Sequence, residues 1–374
     1  EHPLRLNPEK VPDHDTVKKL PATIANTRHM LSEYGILPRY YVIKKRLHIT
    51  IPGASGSPDN ADNTAMTHVV SLAILNNLPH GQIPSYVEVI GDMNQVNPVA
   101  DWITGKLWDG VDRLQALYDT LEEREDFPKA LKEILLYRWM LSAVAAALLP
   151  TGFRARGVLT LQGPQSIGKT GWIRALVSDP ILRDAVVKLD HHLDAGSKDS
   201  QVTAISHWIV EVGELDSSFK KDIARLKGFI TSDRDKIRRP YAPCDAEYQR
   251  RTVFSATVND QGFLVDDSGN TRWWTIPATS INYDHGIDMQ QVFAQLTVDF
   301  QSGERWWLTP QEEQLLEEQN RNHRLVSAIR ERLMDRLDLD MPMQARPVLT
   351  STEVLRKIGI RTPTNAQCKE CCAC

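Results

Sequence analysis

The sequence contains few cysteines, and they are unevenly placed. Four of the five stand within the last seven positions of the 374-residue chain, and Cys244 stands alone. A fold held together by disulfides needs cysteines spread along the chain, so that class of protein is excluded. The four terminal cysteines share one short predicted helix, whose geometry does not easily direct four thiolates at a tetrahedral zinc ion.

Long hydrophobic runs and a secretory leader are also missing. The longest apolar stretch, residues 139–149, is interrupted by Ser142 and is too short to cross a bilayer. Residue 1 is Glu and no charged-then-apolar leader follows it. We therefore expect a cytoplasmic protein that makes no membrane contact and whose sequence begins inside a longer chain.

The chain has no excess of positive charge. Lys and Arg total 44 against 48 Asp and Glu, a formal net charge of −4, so any contact with nucleic acid must be local. Hydrophobic residues make up 41 % and charged residues 25 %, which is ordinary globular usage and excludes a fibrous or wholly disordered chain. The length leaves room for two or three domains.

The order of predicted elements indicates an α/β fold with a mostly parallel sheet. An apolar helix over 127–149 leads into strands that alternate with helices, an order typical of a parallel sheet covered on both faces. The strands are predicted at 158–161, 185–189, 208–212, 252–258 and 272–276. We expect three domains: an N-terminal α+β domain (1–116), a central α/β domain (117–308) and a C-terminal helical, winged-helix-like module (309–374).

The N-terminal domain is predicted to contain a hairpin. Apolar runs at 40–43 and 47–51 flank the basic turn Lys44-Lys45-Arg46, a loop follows over 52–63, and a helix near 67–75 comes next. The turn is a possible DNA contact, although cations at a hairpin tip are more often simply solvated.

Residues 163–170 fit the pattern G-x-x-x-x-G-K-[ST] between a strand and a helix. Such a loop curls backbone N–H groups around phosphate oxygens at a helix N-terminus. It predicts ATP and Mg²⁺ as cofactors, with Lys169 on the β and γ phosphates and Thr170 on the metal. The predicted nucleotide-binding residues are Gly163, Pro164, Gln165, Ser166, Ile167, Gly168, Lys169 and Thr170.

Two glutamates lie at or just beyond the end of the third predicted strand, where carboxylates are needed beside such a loop. We assign Glu211 to the metal side and Glu214 to the water that attacks the γ phosphate. Without the loop, both would be read as exposed residues at a strand end.

Two further candidates flank the last predicted strands. Asn259 ends the fourth strand, where an amide can sense the γ phosphate, although alone it would be a turn residue. Arg272 starts the fifth and is predicted to be an arginine finger for a neighbouring subunit, unless it pairs with Asp266 or Asp267. A group at 190–194, with two histidines and two aspartates, resembles a metal site, but an exposed loop is the commoner explanation.

Taken together, these motifs resemble the virulence-associated protein E-like, or primase-associated, ATPases of prophages, plasmids and phage satellites. The likeness covers roughly 108–276 and depends on the loop, the Glu211 and Asn259 strands, Arg238-Arg239-Pro240-Tyr241 and the segment 269–274. It implies a superfamily 3 helicase-like protein that forms a homo-oligomeric ring, a hexamer, hydrolyses ATP between subunits and translocates on DNA, with a primase as a further expected partner. Ser166 departs from the glycine commoner in such loops, which costs energy if φ is positive there.

The segment 220–251 is the most basic part of the chain. It carries ten Lys or Arg against five Asp or Glu, and its prolines suggest a protruding hairpin. The resemblance implies that this hairpin lines the pore of the ring and binds single-stranded or forked DNA. Lys236, Arg238 and Arg239 would meet phosphates and Tyr241 would stack on a base, unless the cations pair with Asp233, Asp235 and Glu247.

The C-terminal residues predict a helix-turn-helix. Thr362 is the expected N-cap and Pro363 the first residue of the second helix, a candidate for a DNA groove.

The leading function is a ring-forming ATP-dependent DNA translocase or helicase in the replication of a mobile genetic element. The alternatives are an ATP-switched DNA-binding initiation factor without processive unwinding, and a small-molecule kinase built on the same loop.

Overall fold

The computed structural model describes residues 20–53, 61–213, 225–237, 246–260, 263–264, 270–323, 329, 332–333, 336 and 349–373. Within them, the strands are β1 Leu37–Tyr41, β2 Arg46–Thr50, β3 Gln95–Val96, β4 Leu121–Glu123, β5 Val158–Gln162, β6 Val187–His191, β7 Ile209–Val212, β8 Arg234–Ile237, β9 Ala246–Gln249, β10 Val253–Val258 and β11 Trp273–Ile281. The helices are α1 Ile24–Glu33, α2 Ala61–Leu75, α3 Ile83–Asp92, α4 Pro98–Thr104, α5 Leu114–Tyr118, α6 Lys129–Leu148, α7 Lys169–Ala175, α8 Pro180–Val186, α9 Lys198–Ile205, α10 (225–230), α11 Met289–Gln301, α12 Pro310–Asn320, α13 Ser351–Lys357 and α14 Asn365–Ala373.

The largest sheet has six strands in the order β4-β11-β5-β10-β7-β6. All neighbours are parallel except the edge strand β4, which runs antiparallel to β11. The mostly parallel sheet predicted from the alternating elements is therefore confirmed. Since parallel strands place their carboxyl ends on one edge, the residues that follow β5, β7 and β10 meet there.

Both faces of this sheet are buried, as its nearly continuous apolar strands require. Leu159, Leu161 and Trp274 join the core that includes α6, α7 and α11. Val158 and Phe254 belong to the opposite core, which is closed by α9 and α10. Trp139 of α6 lies in the first core and donates a hydrogen bond from Nε1 to the Phe254 carbonyl at 2.7 Å, which fixes α6 on the sheet.

A smaller unit packs three helices on the sheet β2-β1-β3. Its own core includes residues of α1, α2 and α3, and the predicted hairpin is present as β1 and β2. The following helix starts at Ala61, earlier than the predicted 67, so the polar loop is shorter than expected. Val99 and Ile103 of α4, by contrast, belong to the core of the large sheet.

The basic turn of the hairpin is not a solvated tip. Lys45 is 7 % exposed, and its Nζ donates to the Val42 carbonyl and to the Gln249 carbonyl, both at 2.8 Å. Lys44 Nζ lies 3.1 Å from His207 Nε2, and burial lowers the pKa of Lys44 to about 8. The turn therefore joins the N-terminal unit to the large sheet and to the end of β9.

Three predicted element boundaries are wrong by a few residues. The second strand is β6, which starts at Val187 because α8 continues to Val186. The last strand starts at Trp273, since Arg272 closes a 3₁₀ turn, and it extends to Ile281. The final helix starts at Asn365, because Thr364 rather than Thr362 accepts from the Gln367 backbone N–H.

The chain ends in the helix pair α13 and α14, joined through Gly359 at φ +96°. Leu355 and Ile358 form a small core of their own with Ile329 and Leu333. The two predicted helices are confirmed, and the winged-helix interpretation stays a prediction. No helix among the described residues is long and apolar enough to span a bilayer.

Candidate functional site

The loop 163–170, here called the phosphate loop, leaves the carboxyl end of β5 and enters α7. Gly168 has φ +103°, a conformation that only glycine adopts without strain. Ser166 has φ +67°, so the glycine usually expected at this position is replaced at a cost of about 1 kcal/mol. A Cβ at Gly163 would lie 2.3 Å from the Ala278 carbonyl oxygen, which is why this residue is also glycine. The loop thus contains two left-handed residues and one close approach of backbone to backbone.

Lys169 folds back over the phosphate loop. Its Nζ donates to the carbonyls of Gly163 at 2.8 Å and Pro164 at 2.7 Å, and to Asn259 Oδ1 at 2.9 Å. The side chain is buried, and this desolvation lowers the pKa of Lys169 below its ordinary value. The ammonium is therefore held at the mouth of the loop by neutral oxygens that an anionic ligand can replace.

Glu211 is fully buried in β7, so the exposed-strand-end interpretation is wrong. Its Oε1 accepts hydrogen bonds from Thr170 Oγ1 at 2.6 Å and from Thr257 Oγ1 at 2.9 Å. Its Oε2 accepts from the Asp190 backbone N–H at 3.3 Å. Burial raises the pKa of Glu211, and these three donors partly oppose that rise.

Asp190 is a neighbour of the site that the sequence did not single out for this role. It lies near the end of β6 with φ +49°, a strained conformation for a residue other than glycine. Its Oδ1 lies 3.3 Å from the position that a Cβ on Gly213 would take. The available signal was strand order, because β6 and β7 are parallel neighbours. The described residues hold no group of three or more His, Cys, Asp or Glu arranged to bind a metal, so the cluster at 190–194 is not assembled.

Four predicted residues therefore come together: Lys169, Thr170, Glu211 and Asn259. A buried carboxylate bonded to a hydroxyl supplies two hard oxygen groups of the kind Mg²⁺ prefers, with water completing its shell. An ammonium beside an amide offers positive charge and a donor to phosphate oxygens. The residues present fit a Mg²⁺–triphosphate group. Glu214 lies outside the described residues.

Arg272 lies at the opposite end of the strands, just before the amino end of β11. Trp273 pairs with Val158, the first residue of β5, whereas the phosphate loop follows Gln162 at the carboxyl end. The five residues of β5 therefore separate Arg272 from the phosphate loop by roughly 16 Å along the strand direction. Arg272 forms no ion pair with any residue that the structure describes, and Asp266 and Asp267 are outside that part of the chain.

The predicted basic hairpin is present as the antiparallel pair β8 and β9. Its base is fixed by Arg250, which is fully buried and holds Asp235 through two hydrogen bonds of 2.7 and 2.6 Å. Glu247 lies 3.5 Å from Arg234, and Asp233 lies 3.9 Å from Arg234 and 4.0 Å from Arg154, so all three acids expected to neutralise the hairpin are paired with arginines. Lys236 is exposed, and Arg238, Arg239 and Tyr241 lie outside the described residues.

Arg251 also belongs to the basic segment 220–251, but its side chain caps a helix. Its guanidinium donates to the Ala147, Leu149 and Pro150 carbonyls and so caps the carboxyl end of α6. Burial lowers its pKa, and the side chain is committed to this end of the helix.

A model of the virulence-associated protein E-like domain matches residues 103–325, more than half of the chain. The chain belongs to the virulence-associated protein E-like family. The matched range begins within α4 and includes the phosphate loop, Glu211, Asn259 and Arg272. The virulence-associated protein E-like domain thus contains every described residue of the site. No curated protein matches the chain.

Three solved structures of the NrS-1 C-terminal region also resemble this family member. The apo structure of residues 305–718 is 13 % identical with a TM-score of 0.41, covering 92 % of this chain and 84 % of that one. An A-form apo structure of the same residues is 14 % identical with a TM-score of 0.43 and the same coverage. A further A-form apo structure is 13 % identical with a TM-score of 0.39, covering 83 % of this chain and 74 % of that one.

Proposed function

We propose that the chain is an ATPase that binds MgATP at the phosphate loop and uses its hydrolysis to move DNA through a ring of identical subunits during replication of a mobile genetic element. The observation that carries the proposal is that side chains from the loop after β5, from β7 and from the residue after β10 are hydrogen-bonded to one another at one place. Lys169 is bonded to Asn259 after β10, and Thr170 is bonded to Glu211 in β7.

Each of these contacts has a counterpart in phosphoryl transfer. Lys169 exchanges its carbonyl and amide partners for β and γ phosphate oxygens, which frees Asn259 to donate to the γ phosphate and orient water. Thr170 and Glu211 would hold Mg²⁺, Glu211 through water or directly, and the bound ion would supply positive charge against the negative charge that develops on the phosphates. Glu214 polarises the attacking water.

Translocation is supported by the family and by the charge distribution around β8 and β9. Lys236 lies in β8 and Arg238, Arg239 and Tyr241 follow it in the sequence, while the acids nearby are paired with Arg250, Arg234 and Arg154. A basic segment with an aromatic residue suits sequence-tolerant binding of single-stranded DNA.

The test is MgATP hydrolysis by the purified chain and by two variants. Lys169→Ala removes the cation that neutralises phosphate, and Glu211→Gln removes the carboxylate of the metal site. We expect each to lower turnover by about 10²-fold or more. Lys198→Ala, an exposed lysine on α9, is the matched control and should keep the parental rate.

Hydrolysis at the parental rate by Lys169→Ala contradicts the proposed site. Single-stranded DNA should raise the rate of continuous turnover. A chain that binds ATP and DNA but shows no DNA-stimulated turnover would instead be a nucleotide-switched initiation factor.

A further inference from the structure

The phosphate loop has different neighbours on the two sides of β5. Asn259, just after β10, and Glu211 in β7 meet the terminal phosphate and the metal in the proposed function, and both strands lie to one side of β5. The strands on the other side are β11 and β4. A nucleotide with its terminal phosphate at Asn259 therefore extends its nucleoside toward β11. This step rests on the proposed function.

Tyr283 lies on that side, two residues after the end of β11. A Cβ on Gly168 would lie 2.6 Å from Tyr283 Cδ1, and one on Gly171 would lie 3.1 Å from its Cγ. The ring thus rests on the backbone of the phosphate loop and of the first turn of α7. It is nevertheless 53 % exposed, so a large part of its surface is left for another group.

An open cleft starts at the neighbouring residue. Asn282 and Ser280 line it together with Thr120 and the segment 121–123, and its volume is about 300 Å³. Trp172 of α7 donates from Nε1 to Thr120 Oγ1 at 2.8 Å, which ties this cleft to the helix that follows the phosphate loop. Besides these hydroxyl and amide groups, which both donate and accept hydrogen bonds, the cleft is lined by charged side chains, of which Lys129 pairs with Asp119 and Lys132 with Glu123.

We propose that Tyr283 stacks on the base of the bound nucleoside triphosphate and directs it toward this cleft. An aromatic side chain with a free face binds any base through its π surface, while the loop beneath it fixes the height of the ring. Gly168 and Gly171 then also keep Tyr283 in place, because any larger residue at either position would displace its ring.

Calorimetric titration with two ligands separates stacking from binding of phosphate. MgATP carries a base, and magnesium tripolyphosphate carries the phosphate chain alone. We expect Tyr283→Ala to weaken MgATP binding by about tenfold or more and to leave tripolyphosphate binding unchanged. Tyr283→Phe keeps the ring and should retain most of the MgATP affinity, whereas Tyr283→Leu, which still covers the glycines, should behave like the Ala variant. Leu107→Ala, at a side chain 90 % exposed elsewhere, is the control for a surface truncation.

The outcomes distinguish this inference from the proposed function. If Lys169→Ala binds MgATP as tightly as the parental chain, the nucleotide is not at the phosphate loop and the proposed function fails. If MgATP binding depends on Lys169 but Tyr283→Ala leaves it unchanged, stacking by Tyr283 is wrong. A loss of equal size for MgATP and tripolyphosphate also overturns it, because Tyr283 then only supports the loop.

Discussion

At the scale of single residues, the burial of Glu211 carries a cost in stability that the proposed function would explain. A buried carboxylate is costly to ionise, and its surroundings offer two threonine hydroxyls and one backbone N–H rather than a full counter-charge. The raised pKa of Glu211 is the sign of this cost. In the proposed function the ion that removes the cost is Mg²⁺, so the site is less favourable before its ligand binds than after it.

The pH dependence of stability should report this cost. The pKa of Glu211 in the folded chain lies above its ordinary value of 4.5, so the folded state keeps a proton that the unfolded state has released. Stability contributed by this group therefore falls as pH rises from that value through the raised pKa, by up to about 1.4 kcal/mol per pH unit. Glu211→Gln still accepts from Thr170 and Thr257 and cannot titrate.

Urea unfolding of the nucleotide-free protein at several pH values gives the comparison. The free energy of unfolding of the parental chain, minus that of Glu211→Gln, should decrease as pH rises above about 4.5. Parallel curves for the two proteins would mean that Glu211 is not desolvated.

At the scale of elements, the β8–β9 hairpin is anchored by one buried ion pair. Arg250 is fully buried, binds Asp235 and the Phe229 carbonyl, and its guanidinium carbon lies 4.4 Å from the Phe229 ring centroid. Removing one member of a buried pair leaves the other charge desolvated. The hairpin therefore projects from a rigid base.

Arg250→Met should lower the free energy of unfolding by about 3–5 kcal/mol, because Asp235 is left buried without its partner. Arg250→Met/Asp235→Leu should recover part of that loss, since both charges are then gone. Urea denaturation measures all three proteins. A single variant within about 1 kcal/mol of the parental chain, the range of an exposed ion pair, would show that the pair is not an anchor.

The salt dependence of DNA binding tests the proposed role of the segment between β8 and β9. In the proposed function, Arg238 and Arg239 each contact a DNA phosphate, so replacing both by Ala should flatten the slope of log affinity for single-stranded DNA against log salt by about 0.7 per contact. Tyr241→Ala should weaken binding by about 1–3 kcal/mol at unchanged slope, because stacking releases no counterions.

The matched control is Arg356→Ala/Lys357→Ala on α13. It removes two exposed cations from the C-terminal helices α13 and α14, which are the alternative DNA-binding surface. This variant should keep the parental slope. If it flattens the slope and the Arg238/Arg239 variant does not, DNA binds at the C-terminal helices instead.

The turn that carries Arg272 is held by an element distant in sequence. Asn320, fully buried at the end of α12, donates from Nδ2 to the carbonyls of Asn270 at 3.0 Å and Trp273 at 2.9 Å. These two bonds bracket Arg272. No local sequence pattern connects positions 50 residues apart, and this contact was not predictable.

At the scale of the whole molecule, sequence order predicted the sheet but not what joins its parts. Alternating strands and helices are enough for a parallel sheet, and the loop at 163–170 is local, so both were recognised. Contacts between distant segments were not: Lys45 at Gln249, Asn320 at the Arg272 turn and Asp190 beside Glu211 each depend on tertiary packing. The contact of Arg251 with the end of α6 was not predictable either, because a capping arginine and an exposed one look alike in a basic stretch.

The position of Arg272 has a consequence for assembly. Because β11 pairs in parallel with β5, Arg272 lies at the amino end of the strands, away from its own phosphate loop, and cannot contact a nucleotide bound there. In a head-to-tail ring, one subunit presents to its neighbour a surface other than the one it receives. An arginine on the far edge is then available to the neighbour's γ phosphate, as hydrolysis between subunits requires.

Mixing two inactive variants tests the central claim, that ATP is hydrolysed between subunits, most directly. Arg272→Ala keeps the phosphate loop and Lys169→Ala keeps the arginine, so each alone should lose about 10³-fold in turnover. In an equal mixture with exchanging subunits, about one interface in four combines an intact loop with an intact arginine, and turnover should recover to roughly a quarter of the parental rate. A mixture that exchanges subunits and stays as inactive as its components would contradict the account.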